Sequence, residues 1–115
     1  MISSRLRAMN WIKVFSTESE ARQQIKPGAP RLLVVHGIRI CITVFNGEFC
    51  AVQNACPHNG ASLSEGRVNF LGEIVCPWHG YRFDLKSGQA RNAGCADLKT
   101  FPVRIDQSGL YVALY

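Results

Sequence analysis

No apolar stretch of this sequence approaches the roughly 20 residues that a membrane-spanning helix needs, so a soluble, cytoplasmic protein is expected. The opening MISSRLRAMNW carries Arg5 and Arg7 but lacks an apolar segment, which argues against a secretory signal. As an acid-free stretch it is too short for a transit peptide, so residues 1–8 are expected to be a flexible tail or to precede a start at Met9. No linker and no long polar run divides the remainder, and 47% of the chain is apolar. Residues 9–115 are therefore expected to form one domain around a single core. Acidic side chains are scarce, 8 against 13 Lys and Arg, which gives a net charge of +5. The basic residues are nevertheless spread from Arg5 to Arg104, whereas nucleic-acid recognition wants them clustered with exposed aromatics between. A solvated basic surface that meets an acidic protein face is the expectation instead. An even cysteine count is missing too. Five cysteines without a signal peptide argue against a disulfide framework and for metal or redox chemistry.

Strand pattern fills most of the chain. RLLVVHGIRICITVFNGEFCAV (31–52) holds three apolar, β-branched runs split at His36-Gly37 and Asn46-Gly47, and Asn-Gly is a strong two-residue hairpin signal. A three-stranded meander is expected there, with an earlier strand over residues 11–16 and one helical turn within 17–24. EIVC (73–76) and YRFDL (81–85) read as strands that flank a loop, with a turn at 86–88. LKTFPVRI (98–105) and LYVAL (110–114) read as a closing hairpin, and Pro102 marks an edge or an interruption. The fold class is thus all-β, an antiparallel sandwich or barrel. The irregular segments 55–72 and 76–81 lie between strands, where sites are usually built.

Those segments repeat a motif. CPHNGA (56–61) and CPWHGY (76–81) share cysteine, proline, histidine and glycine in a chain with three histidines in all. Cys56, His58, Cys76 and His79 follow the pattern C-x-H, seventeen residues, C-x-x-H. Thiolates and imidazoles suit a tetrahedral zinc site or an iron–sulfur cluster. The cysteine knuckles and the H-x₃₋₅-H spacing of zinc fingers are absent, and a C-x-H pair is tight for two ligands on one ion. If each loop instead gives its cysteine to one iron and its histidine to a second, the ligands need not converge, which is the division of a Rieske [2Fe–2S] centre.

The segments CPHNGA and CPWHGYRFDLKSG resemble the two cluster-binding loops of Rieske proteins, and the flanking strands resemble the rest of that domain from about Met9 onward. The resemblance implies one [2Fe–2S] cluster, with Cys56 and Cys76 on the inner iron and His58 and His79 on the outer, solvent-facing one. Two similar loops would clamp a near-symmetric two-iron rhomb from opposite sides. Gly60 and Gly80 would turn the backbone at positive φ so that N–H groups approach sulfur, and Pro57 and Pro77 would stiffen the turns. Trp78 and Tyr81 would stand beside the ligands. The chain departs from the respiratory and photosynthetic branch, which ties its loops with a disulfide at the positions of Ala61 and Trp78. That branch also aims a serine and a tyrosine hydroxyl at cluster sulfur, where this chain has Tyr81 and Phe83. Their absence implies a lower reduction potential.

By resemblance the chain is a ferredoxin, not an enzyme, that carries one electron from a flavin-dependent reductase to a terminal oxygenase of the ring-hydroxylating type. The small subunit of assimilatory nitrite reductase is an alternative, and a metal-bearing structural or sensor module is another of a different class. An oxygenase catalytic subunit is excluded, because its second iron site needs two further histidines and only His36 remains. Cys41 and Cys50 read as small core residues. Cys95 reads as a residue near the cluster or an exposed thiol, and His36 as a surface turn residue.

Overall fold

Two dipeptides set the register of the largest sheet. His36-Gly37 and Asn46-Gly47 hold both of their residues at positive φ, 50° and 78° in the first and 50° and 79° in the second. That geometry matches the right-handed twist of the strands it joins. The turns link strands β2 (Arg31–Val35), β3 (Ile38–Phe45) and β4 (Glu48–Gln53) into the expected antiparallel meander. His36 is accordingly an exposed turn residue. The computed structural model describes residues 10–114, and the tail expected over residues 1–8 lies outside them.

Three antiparallel sheets are present among the described residues. In the first, β1 (Asn10–Phe15) pairs with β10 (Gly109–Leu114), which pairs in turn with β9 (Val103–Asp106). In the second, β8 (Thr100–Phe101) joins the meander along β4. Pro102 separates β8 from β9, so the interruption expected there is where the chain leaves one sheet for the other. The third sheet is β5 (Arg67–Val68), β6 (Glu73–Val75) and β7 (Arg82–Asp84). Strand β5 and a 3₁₀ turn at Leu63–Glu65 fall in a segment expected to be irregular, since two paired residues leave no alternation to read. The helix α1 (Glu18–Gln24) runs for seven residues, and the Thr17 hydroxyl caps it by accepting the Glu20 N–H at 3.0 Å.

Strand β3 is buried on both faces from Ile40 to Val44, which explains a run that is apolar but for Thr43. Ile40, Ile42 and Val44 face a cluster with Phe15, Ile25, Leu110 and Val112. Cys41 faces a second cluster made by Val52, Leu63, Ile74, Phe83, Leu85 and Leu98, to which Cys56 and Cys76 also belong. Cys41 is fully buried and its pKa is pushed up to about 12 by that burial, so it stays an inert thiol at neutral pH. Cys50 is half-buried against the same cluster. Both therefore pack as small core residues.

One charged side chain enters this sheet system. Glu73 is only 5% exposed. Its carboxylate accepts from Asn69 Nδ2 at 2.9 Å, Arg82 Nη1 at 3.1 Å and Arg91 Nε at 3.0 Å. The Asn69 hydrogen bond, followed by the two guanidinium groups, holds its pKa below the usual carboxylate range against the opposing effect of burial. Because the folded pKa is depressed, this stabilisation is complete above the unfolded value of about 4.3 and is lost as pH falls through the folded value. Glu73→Gln is expected to cost about 2 kcal/mol at neutral pH, the scale of hydrogen bonds to a charged group. Urea melts of the two proteins should show that gap closing in acid; equal midpoints at pH 7 would refute it.

Candidate metal centre

The first loop is gathered at its neck. Ala55 and Ser62 form an isolated bridge, Leu63 N–H donates to the Asn54 carbonyl at 2.8 Å, and Ser64 N–H donates to Asn54 Oδ1 at 3.0 Å. Within it the Cys56 N–H donates to the Ala61 carbonyl at 2.9 Å, and the Gly60 N–H to the Cys56 carbonyl at 2.7 Å. The second loop is the connection between β6 and β7, closed where Val75 faces Arg82. There the Cys76 N–H donates to the Tyr81 carbonyl at 2.8 Å. In both loops, then, the cysteine N–H bonds to the carbonyl five residues on. The repeated sequence is a repeated fold of the backbone.

Glycine allows this turn in each case. Gly60 sits at φ 78° and Gly80 at φ 69°, and a Cβ at either would meet no protein atom within 4 Å, so conformation and not protein crowding selects glycine. His79 itself lies at φ 67°, a left-handed geometry that costs a non-glycine residue energy and persists where the surroundings impose it. Pro57 and Pro77 follow the cysteines, and no peptide bond among the described residues is cis.

Burial divides the four candidate ligands into two pairs. Cys56 and Cys76 are each 2% exposed and belong to the apolar cluster under the loops. Their thiols are neighbours: burial raises the Cys76 pKa above that of a free thiol, and the adjoining Cys56 adds to the rise. His58 and His79 are exposed, with ring centroids 6.1 Å apart and ring planes at 77°. Among the described residues, no three His, Cys, Asp or Glu side chains converge as a site for one ion would require. The arrangement is a thiol pair beneath and an imidazole pair above. Such a set could hold two metal ions side by side, one for each pair.

The surroundings sort the remaining candidates. Tyr81 lays its ring on His58, with centroids 3.9 Å apart and planes at 8°, and so fixes the orientation of that imidazole. Trp78 is 62% exposed, which removes packing as its role and leaves an apolar surface next to His79. Phe83 is fully buried beneath the thiols and carries no donor. Cys95 is half-buried against the same apolar cluster, where burial raises its pKa and the nearby Cys56 contributes. Sequence reasoning passed over Asn59, which reads as an ordinary turn residue before Gly60. Its Oδ1 accepts the Ala61 N–H at 2.9 Å and faces the Cys76 thiol at 3.9 Å. Its Nδ2 is buried without a protein partner, as is Thr43 Oγ1. An orphaned donor on an amide whose oxygen faces the Cys76 thiol is one that a sulfur-rich group bound there would satisfy.

Paired loops that bring a buried thiol pair and an exposed imidazole pair together on antiparallel sheets define an iron–sulfur domain. Residues 11–102 match the Rieske [2Fe-2S] domain, and the chain belongs to that family, whose resident cofactor is a [2Fe–2S] cluster. Over 76 residues it is 36% identical to the 3-phenylpropionate/cinnamic acid dioxygenase ferredoxin subunit of Photorhabdus laumondii, an alignment covering 65% of this chain and 72% of that one. It is also 36% identical over 75 residues to human apoptosis-inducing factor 3, covering 64% of this chain and only 12% of that protein. Among solved structures, the ferredoxin of carbazole 1,9a-dioxygenase from Nocardioides aromaticivorans IC177 superposes with a TM-score of 0.78 at 27% identity, over 92% of this chain and 99% of that one. A protein described as a nitrite reductase small subunit, from Mycobacterium tuberculosis, superposes at 0.79 with 21% identity over 93% and 96%, and shares the fold. No helix among the described residues is long and apolar enough to cross a membrane.

Proposed function

We propose that this protein is a one-electron carrier of the ferredoxin kind, passing electrons from a flavin-dependent reductase to a terminal oxygenase. Cys56 and Cys76 hold the inner iron and His58 and His79 the outer one. The observation that carries this reading is the division of burial: thiols sealed at 2% exposure and imidazoles open to solvent on the same two loops. When bound, the cluster supplies a site that accepts and releases a single electron without bond rearrangement. The chain's own part is to insulate the thiol side, to orient His58 by stacking Tyr81 on it, and to present both imidazole edges to a docked partner. Relatives that are ferredoxin subunits of dioxygenases support the assignment of partners.

The net charge of +5 suits a partner with an acidic surface, and Trp78, exposed next to His79 in the chain, suits an apolar contact with it. Electron transfer with the cognate reductase or oxygenase is therefore expected to slow steeply with salt, because the screening length shrinks from about 10 Å at 0.1 M to about 3 Å at 1 M. Stopped-flow rates across that range test it. A salt-independent rate, with the chain recovered in a stable large assembly, would overturn the mobile carrier and favour a subunit bound within a reductase.

A further inference from the structure

The loop side chain without an assigned task is Asn59. Its amide is held in one orientation, because Oδ1 takes the Ala61 N–H at 2.9 Å and a flipped amide would set two donors against each other. Nδ2 is left buried and unpaired among the protein atoms, while Oδ1 of the same amide lies 3.9 Å from the Cys76 sulfur. A buried amide N–H without a partner costs about 1–3 kcal/mol, and native structures keep such a group where an ion, a water or a cofactor completes it. Here the neighbouring chemistry is sulfur.

We propose that Asn59 Nδ2 donates a hydrogen bond to sulfur of the bound cluster, a thiolate or a bridging sulfide, and thereby favours its reduced state. This rests on the Rieske-site reading above. Reduction adds a negative charge, and a donor aimed at sulfur gains more from the reduced form than from the oxidised one. Asn59 is in this sense a tuning residue, placed by the turn that Ala61 closes. Sequence position hides it, since an asparagine before glycine is an ordinary turn pair.

The test uses the whole chain reduced to its paramagnetic state after labelling with asparagine carrying ¹⁵N in the side-chain amide. Pulsed hyperfine spectroscopy is expected to detect a coupled asparagine nitrogen that disappears in Asn59→Ala. Voltammetry of Asn59→Ala is expected to show about a tenfold weaker hold on the electron, a shift of about 59 mV downward for a one-electron couple. A wild-type cluster with no asparagine coupling overturns the proposal, as does an unchanged potential in the variant. Should Asn59→Ala fail to assemble, the labelled wild type decides alone. Iron and sulfide analysis of the same sample separates the two levels: absence of a two-iron cluster defeats the site reading and this proposal with it, whereas a cluster without the coupling defeats only Asn59.

Discussion

Cys76→Ala is expected to give a colourless protein without bound iron or acid-labile sulfide, whereas the wild type should be reddish-brown and hold two of each per chain. The effect is large because Cys76 stands at 2% exposure on the apolar floor of the site, beside Cys56, where no water can replace a lost thiolate. Cys56→Ala should do the same. His58 and His79 are exposed, so His58→Cys or His79→Cys leaves room for an altered cluster with a changed spectrum. Cys41→Ala is the control: that thiol lies in the same apolar cluster, yet burial keeps it protonated, with its pKa pushed up to about 12, and the colour should remain. Visible absorption together with iron, zinc and sulfide analysis reads all of these. An unchanged spectrum in Cys76→Ala, or one zinc and no sulfide in the wild type, would overturn the ligand assignment.

Much of the candidate site was legible because its chemistry is written in residue types that are scarce here. Three histidines and a repeated C-P…H-G skeleton leave few ways to arrange ligands, and the structure folds both copies around the same backbone closure from the cysteine N–H. The meander was legible for a related reason: Asn46-Gly47 encodes a turn whose dihedral angles other residues adopt only with strain. The Glu73 network was not legible. Its partners Asn69, Arg82 and Arg91 lie 4, 9 and 18 residues away, and only the pairing of β6 with β7 and the turn back past Gln89 bring them together. Strand β5 escaped notice because two residues carry no period. Asn59 escaped because the property that matters, a buried amide lacking a partner, exists only once the loop is folded.

The reduction potential is expected to lie below roughly +200 mV, well under the top of the Rieske range of about −150 to +300 mV. Oxidised irons, sulfides and thiolates balance in formal charge, so reduction leaves the site with one negative charge, and whatever solvates that charge sets the potential. In the respiratory and photosynthetic branch, which this chain resembles only in part, a serine and a tyrosine hydroxyl serve that purpose. Here Tyr81 turns its ring to stack on His58 at 3.9 Å, and Phe83 is fully buried beneath the thiols with no hydroxyl to offer. A hydrogen bond to a charged group is worth about 1.5–3 kcal/mol, and about 1.4 kcal/mol corresponds to 59 mV for one electron. Two missing donors therefore lower the potential by about 130–250 mV from the top of the range, to between about +50 and +170 mV. The Asn59 amide would raise it in part. The apolar wall of Leu63, Ile74, Phe83, Leu85 and Leu98 acts the other way, since a low-dielectric surface disfavours the added charge. A value in this region suits a carrier between a flavin and an oxygenase. Phe83→Tyr offers the converse measurement: a hydroxyl restored beneath the thiols should move the potential upward by as much as about 60–130 mV. Voltammetry that places the wild type above roughly +200 mV, or finds Phe83→Tyr unchanged with its cluster intact, would remove the donor argument and the ferredoxin potential built on it.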